Sequence, residues 1–185
     1  MYDAAAAKGF PATTIGDVVE RAEVSRRTFY EHFTGKEDCF LAAFDFAVAD
    51  VGARLGVTLG DVPQEDWRAR IRLSWRAFLG ALAAAPAATW ALYIETFSAG
   101  PELIERTTAV NDGFAAMFRE LHRRARDRDP AIVEIAPEVF SLYIGGTAER
   151  IRHCLRTRGA AALPELEDLF AETAFHLFGK SAADS

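Results

Sequence analysis

Arg26 and Arg27 stand side by side where a short helical stretch begins, and Thr28, Tyr30 and His32 follow closely. A guanidinium can grip the edge of guanine with two hydrogen bonds or clamp a phosphate, and a threonine can touch a thymine methyl or a phosphate. Tyr30 and His32 add neutral donors suited to a sugar-phosphate backbone, although a lone histidine can equally be a structural hydrogen-bonder. Arg26 and Tyr30 are four residues apart and share a helix face, with Arg27 in the same turn. Phe29 and Phe33 form a second such pair on the opposite side and are expected to bury together. Lys36 lies at the next helix start, where free backbone N–H groups favour an anion, and is read as a phosphate anchor. The chemistry shared by these residues is contact with a nucleic acid.

Residues 14–33, TIGDVVERAEVSRRTFYEHF, must position them. Thr13 or Thr14 can cap a helix, with Asp17 placed to return the hydrogen bond from Thr14. Ile15, Val18, Val19 and Ala22 then supply its apolar side. Glu23 is the expected turn residue, at a cost of about 1 kcal/mol relative to glycine if it is left-handed. Val24 is expected to plug the space between the helices, and Ser25 to cap the helix that carries the arginines. Two short helices joined by a tight turn read as a helix-turn-helix whose second helix enters a DNA major groove. Thr14 and Ser25, at the two helix starts, are counted with Arg26, Arg27, Thr28, Tyr30, His32 and Lys36 as DNA-binding candidates.

Upstream, residues 2–8 form an alanine-rich helix stopped by Gly9 and Pro11. It is short for a support, so further helical turns, with basic residues, are expected before it. Downstream, Thr34 and Glu37 have capping-box spacing and open a fourth helix, whose Phe40, Leu41, Phe44 and Val48 tie the small head to the remainder.

With 185 residues, 50% of them hydrophobic, the chain can bury a substantial core in one or two domains. Abundant alanine, few β-branched runs, and Pro and Gly placed mostly between periodic segments predict an all-α fold. No apolar run approaches the roughly 20 residues that span a bilayer, and the start lacks signal-peptide character. Cys39 and Cys154 lie far apart in apolar stretches and read as reduced core residues, which favours a cytoplasmic location. The net charge of −6 excludes a general nucleic-acid coat but not a locally basic reading surface.

The pattern Gly9-Phe10, Thr14-Ile15, Val18, Ala22, Val24-Ser25, Thr28-Phe29-Tyr30, His32-Phe33 and Lys36-Glu37 resembles the N-terminal signature of the TetR family of transcriptional regulators. Glu23 replaces the family's usual turn glycine, Val18-Val19 its common isoleucine-alanine pair, and the first helix is shorter than the family's. The resemblance covers about residues 9–41; beyond them it extends only to length and helical layout. It implies a homodimer whose third helices enter successive major grooves of a palindromic double-stranded DNA operator. Arg26, Arg27 and Thr28 would face bases or nearby phosphates, and Tyr30, His32 and Lys36 would hold backbone. Members are mostly repressors released by a small molecule held in the C-terminal part.

Residues 1–45 are thus expected to be the DNA-binding domain and residues 46–185 an effector-binding and dimerisation domain. After Val51 the chain is expected to loosen through Gly52, Gly56, Gly60 and Pro63, before a helix from about Gln64 to Ala84. Another begins at Pro86, and Gly100-Pro101 separates it from a long one through Arg126. Any single aromatic here reads as ordinary core. As a group, Trp75, Phe78, Trp90, Tyr93, Phe97, Phe114 and Phe118 are expected to line an apolar cavity for a small hydrophobic or aromatic effector. Arg119, Arg123, Arg124, Arg126 and Arg128, interleaved with acids, read as a solvated helix end rather than a second nucleic-acid site.

The final helices, about Ile132–Arg156 and Leu163–Phe178, carry more apolar surface than one partner can cover, which predicts a four-helix seam between two subunits. Val139, Tyr143, Gly146, Ile151, Leu166, Phe170 and Phe175 are its candidate residues. No metal-ligand spacing links the four histidines to one another or to the cysteines, and no phosphate loop or nucleophile elbow is present. An enzyme is therefore not expected, nor any cofactor. The competing readings are a helical protein-interaction module and a non-repressing regulator on the same scaffold.

Overall fold

A computed structural model describes residues 1–60 and 66–179. Its regular elements among those residues are helical: α1 Tyr2–Lys8, α2 Ile15–Ala22, α3 Arg26–His32, α4 Lys36–Gly60, α5 Trp67–Ala84, α6 Pro86–Tyr93, α7 Pro101–Arg128, α8 Pro137–Arg158 and α9 Glu167–Phe178. Tight 3-10 turns at Glu95–Ser98 and Ala160–Leu166 join α6 to α7 and α8 to α9.

Local chemistry accounts for the head. Ala4 and Ala5 of α1 are fully buried, since a methyl side chain lets α1 lie close to α6. Gly9 closes α1 with φ 82°, a conformation that favours glycine. The capping box of α2 is complete: Thr14 Oγ1 accepts from the Asp17 N–H at 3.2 Å, and the Asp17 carboxylate accepts from the Thr14 N–H at 2.7 Å. Lys8 also pairs with Asp17, and this contact, followed by those with Thr14, pulls the carboxyl far below its usual range. Glu23 is left-handed at φ 55°, ψ 36°, as its position in the turn predicts. Ser25 caps α3 by accepting from the Thr28 N–H at 3.0 Å.

Several expectations change in the body. The chain does not loosen after Val51, because α4 runs unbroken through Gly52 and Gly56. Each glycine lowers helix propensity by about 1 kcal/mol relative to alanine, which tertiary packing overrides. Both sit in open space, while Leu55 between them is buried and α4 packs along α5. A division at residue 45 therefore falls within a single helix. Gln64, the expected start of the next helix, lies outside the described residues; α5 begins at Trp67, capped by Asp66. Pro137 rather than Ile132 opens α8, and residues 160–166 form a 3-10 turn holding Pro164, so that α9 starts at Glu167.

The main core sits where α5, α7, α8 and α9 meet. Trp75 Nε1 donates to the Tyr143 hydroxyl at 2.8 Å, and that hydroxyl donates to the Phe170 carbonyl at 2.7 Å. This satisfied buried pair of bonds fixes α5, α8 and α9 in one register, where an orphaned group would cost about 1–3 kcal/mol. Cys39 and Cys154 are both buried free thiols.

Candidate nucleic-acid interface and effector cavity

One face of α3 is anchored and the other is open. Phe29 is only 4% exposed and packs on Phe33 with ring centroids 5.4 Å apart. Arg26, Arg27, Tyr30 and His32 are exposed, and Thr28 is half-buried at the start of the helix. Arg27 Nε donates to Glu31 at 3.1 Å, a solvent-facing pair within one turn of α3. Thr14 and Ser25 are exposed too, but their side-chain oxygens hold helix N–H groups.

Three expectations in the head need correction. Lys36 is not a free phosphate anchor: its Nζ donates to the carbonyls of Phe10, Pro11 and Thr13, each at 3.1 Å, and lies 4.7 Å from the centre of the Phe10 ring. All three ammonium donors are thus taken by the loop between α1 and α2. Thr34 does not pair with Glu37; its N–H donates to Asp38 at 2.8 Å, because α4 starts only at Lys36. Val24 does not plug the helix pair but is 41% exposed, since the turn is closed by backbone, with the Val24 N–H donating to the Val19 carbonyl at 3.1 Å.

Between α4, α5, α7 and α8 lies an apolar cavity in which the space open to the centre of a water molecule is about 120 Å³. Trp75, Phe78, Tyr93, Phe97, Phe114 and Phe118 all line it, as expected. Trp90 does not; its indole donates to Glu95 at 3.2 Å and packs against the core. What sequence reasoning missed is the wall from α4: Phe44, Val48, Val51 and Leu55. Their spacing of four, three and four residues is a helical stripe, and it was readable once the glycines are not taken as breaks.

The expected subunit seam is divided by the structure. Tyr143, Ile151, Leu166 and Phe170 are 5%, 1%, 7% and 2% exposed and point into the chain's own core. Phe175 rests on Trp67, with Arg68 over its ring, and Val139 is partly buried against the core. Gly146 faces outward, in line with Leu142, which is 77% exposed. On α9 the outward apolar residue is Leu169, 49% exposed. Periodicity located two apolar helices but did not say which side turns inward.

The arginines late in α7 behave as a solvated helix end, with Arg123 bonded to Glu120 and Asp127. Among the described residues, no group of three or more His, Cys, Asp or Glu side chains is placed to hold a metal ion, and no helix is long and apolar enough to cross a membrane.

A head built on a helix-turn-helix is joined by a long helix, α4, to a helical bundle with an internal cavity. Residues 3–43 match the family described as bacterial regulatory proteins, tetR family. The fold is similar to that of the fatty acid degradation regulator FadR from Bacillus halodurans, at 15% identity and TM-score 0.82, over 94% of this chain and 89% of that one. It is also similar to a bacterial regulatory protein in the TetR family from Rhodococcus RHA1, at 17% identity and TM-score 0.72, over 96% and 92% of the two chains. No curated protein matches the sequence. The family match thus covers the helix-turn-helix head, and beyond it the likeness to these structures is one of fold.

Proposed function

We propose that this chain is a cytoplasmic repressor that binds a palindromic operator as a homodimer and is released when a mostly hydrophobic small molecule enters the cavity. The observation that carries this reading is the outward face of α3, where Arg26, Arg27, Tyr30 and His32 are exposed over a buried Phe29. Arg26, Arg27 and Thr28 read bases or nearby phosphates; Tyr30 and His32 hold backbone. Two copies pair through the outward faces of α8 and α9, which sets the distance between the two α3 helices. Half-sites repeat at about 34 Å along the duplex, so a modest pivot of α4 moves the heads out of step with successive grooves. An effector achieves this only if it binds the two arrangements with different affinity.

The test is operator affinity at fixed salt. Arg27→Ala is expected to weaken operator binding by about 1–3 kcal/mol while leaving random-sequence DNA nearly unaffected. An equal loss on every sequence would make Arg27 a phosphate contact, and no preference for any operator over random DNA would remove the reading.

A further inference from the structure

The cavity is apolar but not neutral, and the arrangement of its polar groups narrows the effector beyond hydrophobicity. Most hydroxyl and N–H donors in its wall are already engaged. Ser74 donates to the Arg70 carbonyl, Thr107 to that of Leu103 and Thr147 to that of Ile144. Thr96 donates to the Leu92 carbonyl, and the Trp75 indole to Tyr143. Three lining side chains keep donors with no partner among the described residues: the Tyr93 hydroxyl, the Asn111 amide and the Nη groups of Arg152. Among the described residues, no aspartate or glutamate lines the cavity.

Arg152 is the charged member of that set. Its side chain is 20% exposed, and its guanidinium lies 5.5 Å from the centre of the Phe97 ring at the cavity wall. Its Nε donates to Glu149 at 2.8 Å, but Glu149 also accepts from Arg156 at 3.2 Å. One carboxylate is thus shared by two guanidinium groups, which leaves the cluster with an excess positive charge. The charge of Arg152 reaches Tyr93, whose phenol burial pushes well above its ordinary range, so the hydroxyl stays a neutral donor. A partly enclosed cation and neutral donors, set in an apolar wall, suit an anion with an apolar body: the body takes the aromatic lining and the head takes the fork of Arg152.

We infer that the effector is an amphiphile with a single carboxylate head, held by Arg152 with Tyr93 and Asn111, and an apolar tail among the aromatics. This rests on the cavity reading above and narrows it to a ligand class. Arg152 is then the specificity-determining residue.

The test uses octanoate, decanoate, dodecanoate and 4-phenylbutanoate, each beside its methyl ester, titrated into the full chain and followed by calorimetry and tryptophan fluorescence. Each carboxylate is expected to bind at least about tenfold tighter than its ester, in keeping with a charge-assisted pair. Affinity in the linear series should rise about fourfold per added CH₂ until the cavity is filled. Arg152→Gln should abolish the preference for the acid while ester binding is retained, which also reports an intact fold. Arg152→Lys should recover part of the preference, and Tyr93→Phe should weaken acids several-fold without affecting esters. Esters that bind as well as acids, or a preference that survives in Arg152→Gln, would overturn the inference and leave the cavity reading standing. Failure of every acid and every ester to bind would remove both.

Discussion

The Glu95 carboxylate accepts a hydrogen bond from the Phe10 backbone N–H at 2.8 Å, across 85 residues of sequence. Its other oxygen accepts from the Trp90 indole at 3.2 Å. Thr96 and Phe97, the next two residues, line the cavity. The carbonyl of Phe10 in turn receives Lys36, the first residue of α4. One carboxylate therefore joins the turn that walls the cavity to the loop that seats the helix-turn-helix head.

If that bond carries the response, Glu95→Ala leaves effector affinity within about twofold but reduces the effector's influence on operator affinity. A coupling of this kind is commonly worth 1–3 kcal/mol, so a response of about tenfold should fall close to none. Operator titrations of wild type and variant, with and without saturating effector, measure it. An undiminished response would show that coupling runs through α4 packing alone.

Lys36 offers a prediction opposite to the one its position at a helix start suggests. With its donors held by three carbonyls, two of them partly buried, Lys36→Met should lower stability by about 2 kcal/mol, the scale of a lost charged hydrogen bond. The dependence of DNA affinity on salt should not change. Urea denaturation and a plot of log affinity against log salt read the two effects separately; a slope smaller by about one unit would restore a phosphate contact.

The contrast between Lys36 and the caps shows what the sequence made legible. Thr14, Asp17, Ser25 and Thr28 find their partners within three residues, and Glu23 takes its left-handed turn from its immediate neighbours. Such short-range chemistry is readable from spacing alone. The acceptors of Lys36 are 23 to 26 residues away, and nothing local marks them. The same limit explains α8: its apolar residues are legible, but whether Tyr143 or Leu142 turns inward depends on where α5 and α9 dock. It also explains Trp90, an aromatic indistinguishable by type from those lining the cavity until Glu95 takes its indole N–H.

His122 gives a pH dependence with a definite sign. The ring is 6% exposed, its Nε2 has no partner, and it packs edge-on against Phe140. Burial first, then the charge of Arg126, holds its pKa below the ordinary 6.5, against a backbone hydrogen bond at Val133. The unfolded chain therefore binds a proton more readily than the folded one. Stability should be level above about pH 7 and decline as pH falls through the unfolded value near 6.5, levelling again below the folded value. Urea midpoints from pH 8 to pH 5 follow this, and His122→Phe should flatten that part of the profile. Asp17, whose shift is downward, acts only at far lower pH, where protonation of its carboxyl removes its contribution.

Neighbouring residues of α8 face opposite ways, and the two sides can be tested separately. Leu142 is 77% exposed beside Gly146, whereas Tyr143 is buried and bonded to both Trp75 and Phe170. An exposed leucine in line with a glycine suits close approach of a second helix, so Leu142→Glu places a like charge from each copy at the seam. Light scattering should then report a folded monomer with an unchanged urea midpoint and weakened operator binding. Tyr143→Phe should do the reverse: the Phe170 carbonyl loses its donor and the Trp75 indole its acceptor, costing about 1–3 kcal/mol with the dimer kept at working concentration. A Leu142→Glu chain that remains dimeric would move the seam away from this face of α8.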